Sequence, residues 1–127
     1  MNWAALLAAI MMVESGGEID QANARGDFVN GVPRSIGALQ IQKAVVDDCL
    51  RVYPGCGFTY EDRTNIKKSK SIARHYLVYW GNKYQERTGK PATVEVLARI
   101  WNGGPRGYEK QATLKYWEKI KKELGTN

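Results

Sequence analysis

Trp3 to Val13 is an unbroken run of eleven apolar residues, and Glu14 closes it immediately before Ser15-Gly16-Gly17. Asn2 offers an N-cap oxygen and the glycine pair a stop, so the run predicts a helix that ends at the carboxylate. A helix apolar on all sides is expected to lie centrally in the core. The run is about half of what spans a bilayer. No basic segment precedes it and no small-residue cleavage site follows it, so neither membrane insertion nor a signal peptide is expected.

The character changes between Ile19 and Gln42, where Gly26, Gly31, Pro33 and Gly37 interrupt the chain. Asp27-Phe28-Val29-Asn30-Gly31 predicts a short hairpin or irregular loop. Ser35 to Ile41 predicts a compact turn leading into a helix. That helix is expected from Lys43 to about Val52, stopped by Pro54-Gly55. Asp62 or Thr64 can cap a long helix running to about Tyr84, in which Ile66, Ile72, Ala73, Tyr76, Leu77, Trp80 and Tyr84 recur at helical spacing and are mostly core. A further helix from about Ala92 to Trp101 breaks at Asn102-Gly103-Gly104-Pro105. The last starts near Thr113, with Leu114, Trp117, Ile120 and Leu124 on one face, and ends at Gly125. The pattern predicts a mainly α domain with one small irregular or β-hairpin segment between the first two helices. A chain of 127 residues suits a single domain over 1–127.

Composition changes this picture little: 43% apolar and 25% charged residues are ordinary for a globular chain. Charge adds more. Nineteen Lys and Arg against thirteen Asp and Glu leave a net +6, which favours a polyanionic partner. Nucleic acid, an anionic membrane and the bacterial wall all qualify. The basic residues are spread along the chain, with small clusters at Lys67-Lys68-Ser69-Lys70 and Lys119 to Lys122 that suit solvated helix faces. No P-loop, zinc-finger or RNP-type motif is present, so nucleic acid is not the expected partner. Cys49 and Cys56 are the only cysteines and His75 the sole histidine, which excludes a four-ligand Cys/His zinc site. One disulfide and two free thiols stay equally open. Neither a metal nor a cofactor is expected.

The candidate chemistry centres on Glu14. Burial beside Met11 and Met12 disfavours the charged carboxylate, and the partial negative charge of a helix C-terminus acts in the same sense. A glutamate raised in this way can protonate a leaving-group oxygen. The plain alternative is a surface glutamate paired with Arg25 or Arg34. Asp27, in the glycine-punctuated loop, is the second candidate carboxylate, with Asp20 not excluded. Glycoside hydrolysis commonly uses two such groups, one as acid and one as base or nucleophile. Gly37 allows close backbone approach, and Gln40 offers a donor and an acceptor to a sugar N-acetyl or hydroxyl group. Trp101-Asn102 supplies an aromatic face and an amide suited to a sugar ring, although a core Trp at a helix C-cap fits the same letters.

Glu14-Ser15-Gly16-Gly17, Gly37-Ala38-Leu39-Gln40-Ile41 and Trp101-Asn102-Gly103-Gly104-Pro105, in that order, resemble the lytic transglycosylase and goose-type lysozyme family. Asn65-Ile66 and Tyr76-Leu77 resemble its intervening elements, so the resemblance covers most of the chain. It implies a lysozyme-like α fold that cuts the β-1,4 bond between N-acetylmuramic acid and N-acetylglucosamine. Glu14 would match the catalytic acid. Ser35, Gly37, Gln40, Ile41, Tyr76, Trp101, Asn102 and Gly103 would belong to the segments lining the sugar groove. The partner implied is a peptidoglycan glycan strand, met by a monomer at the bacterial wall, whether periplasmic, extracellular or phage-delivered. Phage lysins and virion-associated enzymes are among the similar proteins.

The chain departs from the family pattern in places. Ala38-Leu39 stands where Leu-Met is usual, and Trp101 replaces a Tyr. Asp27 looks like the first of two water-placing aspartates of goose-type members, but Gln42 stands at the second. With one firmly matched carboxylate, Glu14 acting alone would give a 1,6-anhydro product by lytic transglycosylation, and this outcome is slightly favoured. If Asp27 holds a water across the ring, the product is a reducing end, as from an inverting lysozyme. A non-catalytic wall or virion binding module and a chitinase-like enzyme are the other readings.

Overall fold

The computed structural model describes residues 1–17, 28–29, 32–33 and 35–125. Among them the chain forms five α-helices: α1 (Trp3–Ser15), α2 (Lys43–Val52), α3 (Ile66–Thr88), α4 (Val94–Gly103) and α5 (Leu114–Glu123). Two antiparallel hairpins lie between α1 and α2. In the first, β1 (Phe28–Val29) pairs with β2 (Val32–Pro33), Phe28 opposite Pro33 and Val29 opposite Val32. In the second, β3 (Ser35–Ile36) pairs with β4 (Ile41–Gln42), Ser35 opposite Gln42 and Ile36 opposite Ile41. The expected mainly α fold with a hairpin segment between the first two helices is therefore observed. No helix among the described residues is long and apolar enough to cross a membrane.

The chain divides into two compact units, one formed by residues 1–10 and 77–127, the other by residues 11–76. The boundaries fall inside α1 and at the middle of α3, so both helices contribute to both units. In the first unit the core is Leu6, Leu7, Ala9, Ile10, Leu77, Leu97, Ala98, Ile100, Tyr116 and Ile120. Gly81 of α3 lets α4 approach closely, since a Cβ there would sit 3.0 Å from Leu97 Cδ2. In the second unit the core is Ala38, Leu39, Ile41, Val46, Cys49, Ile72, Ala73 and Tyr76.

The caps explain the element boundaries, and one differs from expectation. Asn2 Oδ1 accepts from the Ala5 N–H at 3.1 Å, so α1 starts as predicted. The long helix is capped neither by Asp62 nor by Thr64. Asn65 Oδ1 accepts from the Lys68 N–H at 2.9 Å, and α3 starts after it. Asp62 instead closes a capping box with Thr59 on a 3₁₀ turn, Tyr60–Thr64. The Thr59 N–H donates to Asp62 Oδ2 at 2.9 Å, and that bond, with Lys68 nearby, holds the carboxyl below its usual range. The helix α1 also differs from expectation: Leu6, Leu7 and Ile10 are buried, whereas Ala4, Ala8 and Met12 face solvent. Small or lone apolar side chains on the outer face cost little.

Cys49 and Cys56 are both free thiols. Cys49 Sγ lies 3.6 Å from the Ile72 carbonyl oxygen, to which it donates. Burial, then Cys56 and Asp48, pushes this thiol from 9.0 up to about 12. Burial, then Asp48 and Cys49, pushes the Tyr76 phenol from 10.0 up to about 12. Both groups are held protonated in the folded chain. Their contribution to stability is therefore complete below the unfolded values and is lost as pH rises through about 12. The melting temperature is expected to fall steadily between pH 9.0 and about 12, with tyrosinate absorbance appearing on unfolding. A flat melting temperature across that window would contradict the burial of these two groups.

Candidate active site

The last turn of α1 carries Glu14, half-buried, and Ser15. Gly16 and Gly17 follow with φ of 69° and 93°, a left-handed pair that ends the helix where the sequence requires it. The Ser15 hydroxyl lies 2.6 Å from the Ala38 carbonyl oxygen and 3.2 Å from that of Met11, and it accepts from the Gly17 N–H at 3.1 Å. These bonds bring the first two sequence motifs together. The end of α1 sits against the turn Gly37–Gln40 that joins β3 to β4.

That turn is fixed from beneath. Gly37 has φ 86°, and a Cβ on it would lie 1.8 Å from the Arg63 carbonyl oxygen, inside any possible contact. Gln40 donates twice to the Gly37 carbonyl, from its backbone N–H at 3.0 Å and from Nε2 at 2.8 Å. Among the described residues it is the one non-glycine with a positive φ, 51°, a strained conformation that persists where the surroundings enforce it. Arg63 is itself 9% exposed. Its Nε donates to the Tyr60 carbonyl at 2.9 Å and its Nη1 to the Ile41 carbonyl at 3.3 Å, with the Tyr60 ring beneath its guanidinium. Burial lowers the Arg63 pKa, against the pull of Tyr60, Glu61 and Asp47.

The structure thus groups four of the predicted site residues, Ser35, Gly37, Gln40 and Ile41, in one hairpin beside Glu14. The segment is a β-hairpin running directly into α2, where the sequence suggested a turn-to-helix entry. Ser35, Gln40 and Ile41 are buried, at 8%, 7% and 0% exposure. Their observed work is to build the turn, and Gln40's amide nitrogen is engaged on Gly37. Tyr76 is 8% exposed, in the core of the same unit with Asp48 and Cys49 of α2 near its phenol. Asp27 and Asp20 lie outside the described residues. Ser15 stands in the first family-like motif without an assigned role; its bonding partner is 23 positions away, which the local sequence does not signal.

Trp101, Asn102 and Gly103 belong to the other unit, at the end of α4. Trp101 is half-buried and Asn102 exposed. The segment that follows is shaped by backbone crowding. A Cβ on Gly107 would lie 1.9 Å from the Arg99 carbonyl oxygen, and one on Gly103 would lie 2.5 Å from Thr113 Cγ2. Buried Thr113 donates from Oγ1 towards the Gly107 and Lys110 carbonyls, each 2.8 Å away, and accepts from Arg99 Nε at 2.8 Å. Arg99 also donates to Glu95 at 3.0 Å and to the Lys110 carbonyl at 3.1 Å. Lys110 Nζ closes the loop on the Gly103 carbonyl at 2.6 Å.

A mainly helical fold with a hairpin segment after the first helix, and a half-buried glutamate ending that helix, defines the lysozyme-like class. No protein-family model matches the chain. Its relatives do. Lysozyme from Meretrix lusoria is 33% identical over 91 residues, which are 72% of this chain and 69% of that one. Invertebrate-type lysozyme 3 of Caenorhabditis elegans is 34% identical over 95 residues, 72% of this chain and 68% of that one. Lysozyme from Magallana gigas is 36% identical over 86 residues, and there the match spans 68% of this chain but only 58% of the relative's length. The crystal structure of Meretrix lusoria lysozyme in complex with Aeromonas hydrophila PliI contains a chain with TM-score 0.67 and 25% identity, covering 97% of this chain and 93% of that one. The chain belongs to the invertebrate-type lysozyme family. The lysozyme kinship implied by the sequence motifs is therefore found, in relatives of the invertebrate type.

Proposed function

We propose that the protein is a muramidase that cuts the β-1,4 bond between N-acetylmuramic acid and N-acetylglucosamine in peptidoglycan, with Glu14 as the general acid. The observation that carries this reading is the placement of Glu14. It sits half-buried in the last turn of α1, next to Ser15, whose hydroxyl bonds the Ala38 carbonyl of a hairpin turn shaped by Gly37, Gln40 and Arg63. A carboxyl partly withdrawn from water can retain its proton until a glycosidic oxygen takes it. The basic surface suits an anionic wall, and the whole chain acts as one catalytic domain and as a monomer at the bacterial wall. Trp101 and Asn102 contact sugar in this reading, as the sequence resemblance implies.

Hydrolysis is the outcome favoured by the names of the relatives, with Asp27 positioning the attacking water on the far side of the ring. A second reading has support of its own. Gln42, exposed on β4, stands where goose-type members carry a second aspartate. With less help in placing water, the muramic 6-hydroxyl would attack instead and yield a 1,6-anhydro product, as in a lytic transglycosylase. Mass spectrometry of the muropeptides released from purified peptidoglycan separates the two. Normal reducing ends are expected; products lighter by one water would establish transglycosylation. Binding to walls with no release of muropeptides and no loss of turbidity would overturn both and leave a binding module.

A further inference from the structure

We propose that Ser15 is the positioning residue of the acid. By fastening the last turn of α1 to the Gly37–Gln40 turn, its hydroxyl holds the Glu14 carboxyl at a fixed height and angle. The inference rests on the reading of Glu14 as the general acid and adds to it a residue with a distinct task.

The need for such a fastening follows from the local sequence. Helix ends fray, because the last four carbonyls lack intrahelical donors. Here two consecutive glycines follow at once, the backbone with the fewest restraints available. Glu14 is thus carried on a terminal turn of its helix, closed by the Gly16 N–H on the Met12 carbonyl at 3.0 Å. Reaction geometry tolerates little of that freedom, since a misplacement of about 1 Å can cost about 10²-fold in rate.

Ser15 supplies the stiffness through one hydroxyl. Its single proton goes to the Ala38 carbonyl at 2.6 Å, with the Met11 carbonyl farther off at 3.2 Å, and its oxygen takes the Gly17 N–H at 3.1 Å. The bond from Gly17 orders the glycine pair, and the bond to Ala38 reaches across 23 positions to another element. The anchor at the far end is rigid. Ala38 is 2% exposed, Gly37 is seated against the Arg63 backbone, and Arg63 Nη1 holds the Ile41 carbonyl at 3.3 Å. The order of the hairpin therefore passes through one hydroxyl to the carboxylate next to it. Ser15 needs no contact with substrate to do this.

The test is steady-state kinetics on soluble peptidoglycan fragments with Ser15→Ala, Ser15→Thr and Glu14→Gln, each with a thermal melt. Ser15→Ala is expected to lower kcat by about 10- to 10²-fold with KM nearly unchanged. Its melting temperature should fall by only a few degrees, as for the loss of one part-buried hydrogen bond. Ser15→Thr keeps the hydroxyl and is expected to restore most of kcat. Parent-like kcat in Ser15→Ala overturns the proposal, as does a Ser15→Thr variant as slow as Ser15→Ala. Failure of Ser15→Ala to fold also overturns it, since the serine would then be a structural stop. Glu14→Gln separates the two levels. If it is inactive while Ser15→Ala is parent-like, only the positioning role falls; if it is fully active, the reading of Glu14 falls instead.

Discussion

Glu14→Gln is expected to lower kcat on peptidoglycan by about 10²–10⁴-fold, the range lost when a positioned general acid is removed. The amide keeps the shape of the side chain but has no proton of suitable acidity to give to a glycosidic oxygen. Because Glu14 is half-buried rather than in the core, the melting temperature should hardly move. The measurement is turbidity loss of a wall suspension together with muropeptide release, read beside a melt of the same sample. Retained lysis would move the chemistry to another carboxylate, with Asp27 the first to examine.

The second large effect is on stability. Gly37→Ala is expected to cost roughly 4 kcal/mol, a large share of the about 5–15 kcal/mol that holds an ordinary domain folded. Two terms add. A side chain at φ 86° strains the backbone by about 1–3 kcal/mol. The new methyl would also lie 1.8 Å from the Arg63 carbonyl oxygen, and forcing the hairpin off that carbonyl adds about 1–3 kcal/mol of overpacking. A melting temperature lowered by about 10–20 °C is the expected reading. A loss of only a degree or two would mean that the turn and the Arg63 backbone are not in contact. Activity measured on the folded fraction should fall as well, because the turn that yields is the one to which Ser15 is tied.

Much of this architecture is legible in the letters because its signals are local. Asn2 and the glycine pair bracket α1, Pro54-Gly55 stops α2, and the apolar faces of α3 and α5 repeat at helical spacing. The start of α3 misleads for a physical reason. Asp62 and Thr64 are both competent caps, but Asp62 is recruited by Thr59 into the 3₁₀ turn just upstream, and Asn65 takes the helix. Strands of two residues carry no alternation to detect, so the β3–β4 hairpin is hidden. Glu14 is singled out by its position at the end of an apolar run. Gln40 looks like a sugar ligand because its amide could serve one, but whether it is buried depends on packing around a left-handed turn that sequence does not reveal. Ser15 is hidden for a related reason. Next to a glutamate and two glycines it suggests a helix terminus, and only the folded chain brings the Ala38 carbonyl to it.

The crowding around Gly103 and Gly107 bears on how such chains are recognised. Both glycines are demanded by neighbouring atoms that take no part in bond cleavage: an Arg99 carbonyl and a Thr113 methyl. A lineage that had discarded its proton donor would still have to preserve them for as long as it folded. The segment from Asn102 to Gly107 is accordingly shaped by packing, and its presence in a chain reports a fold without reporting a reaction.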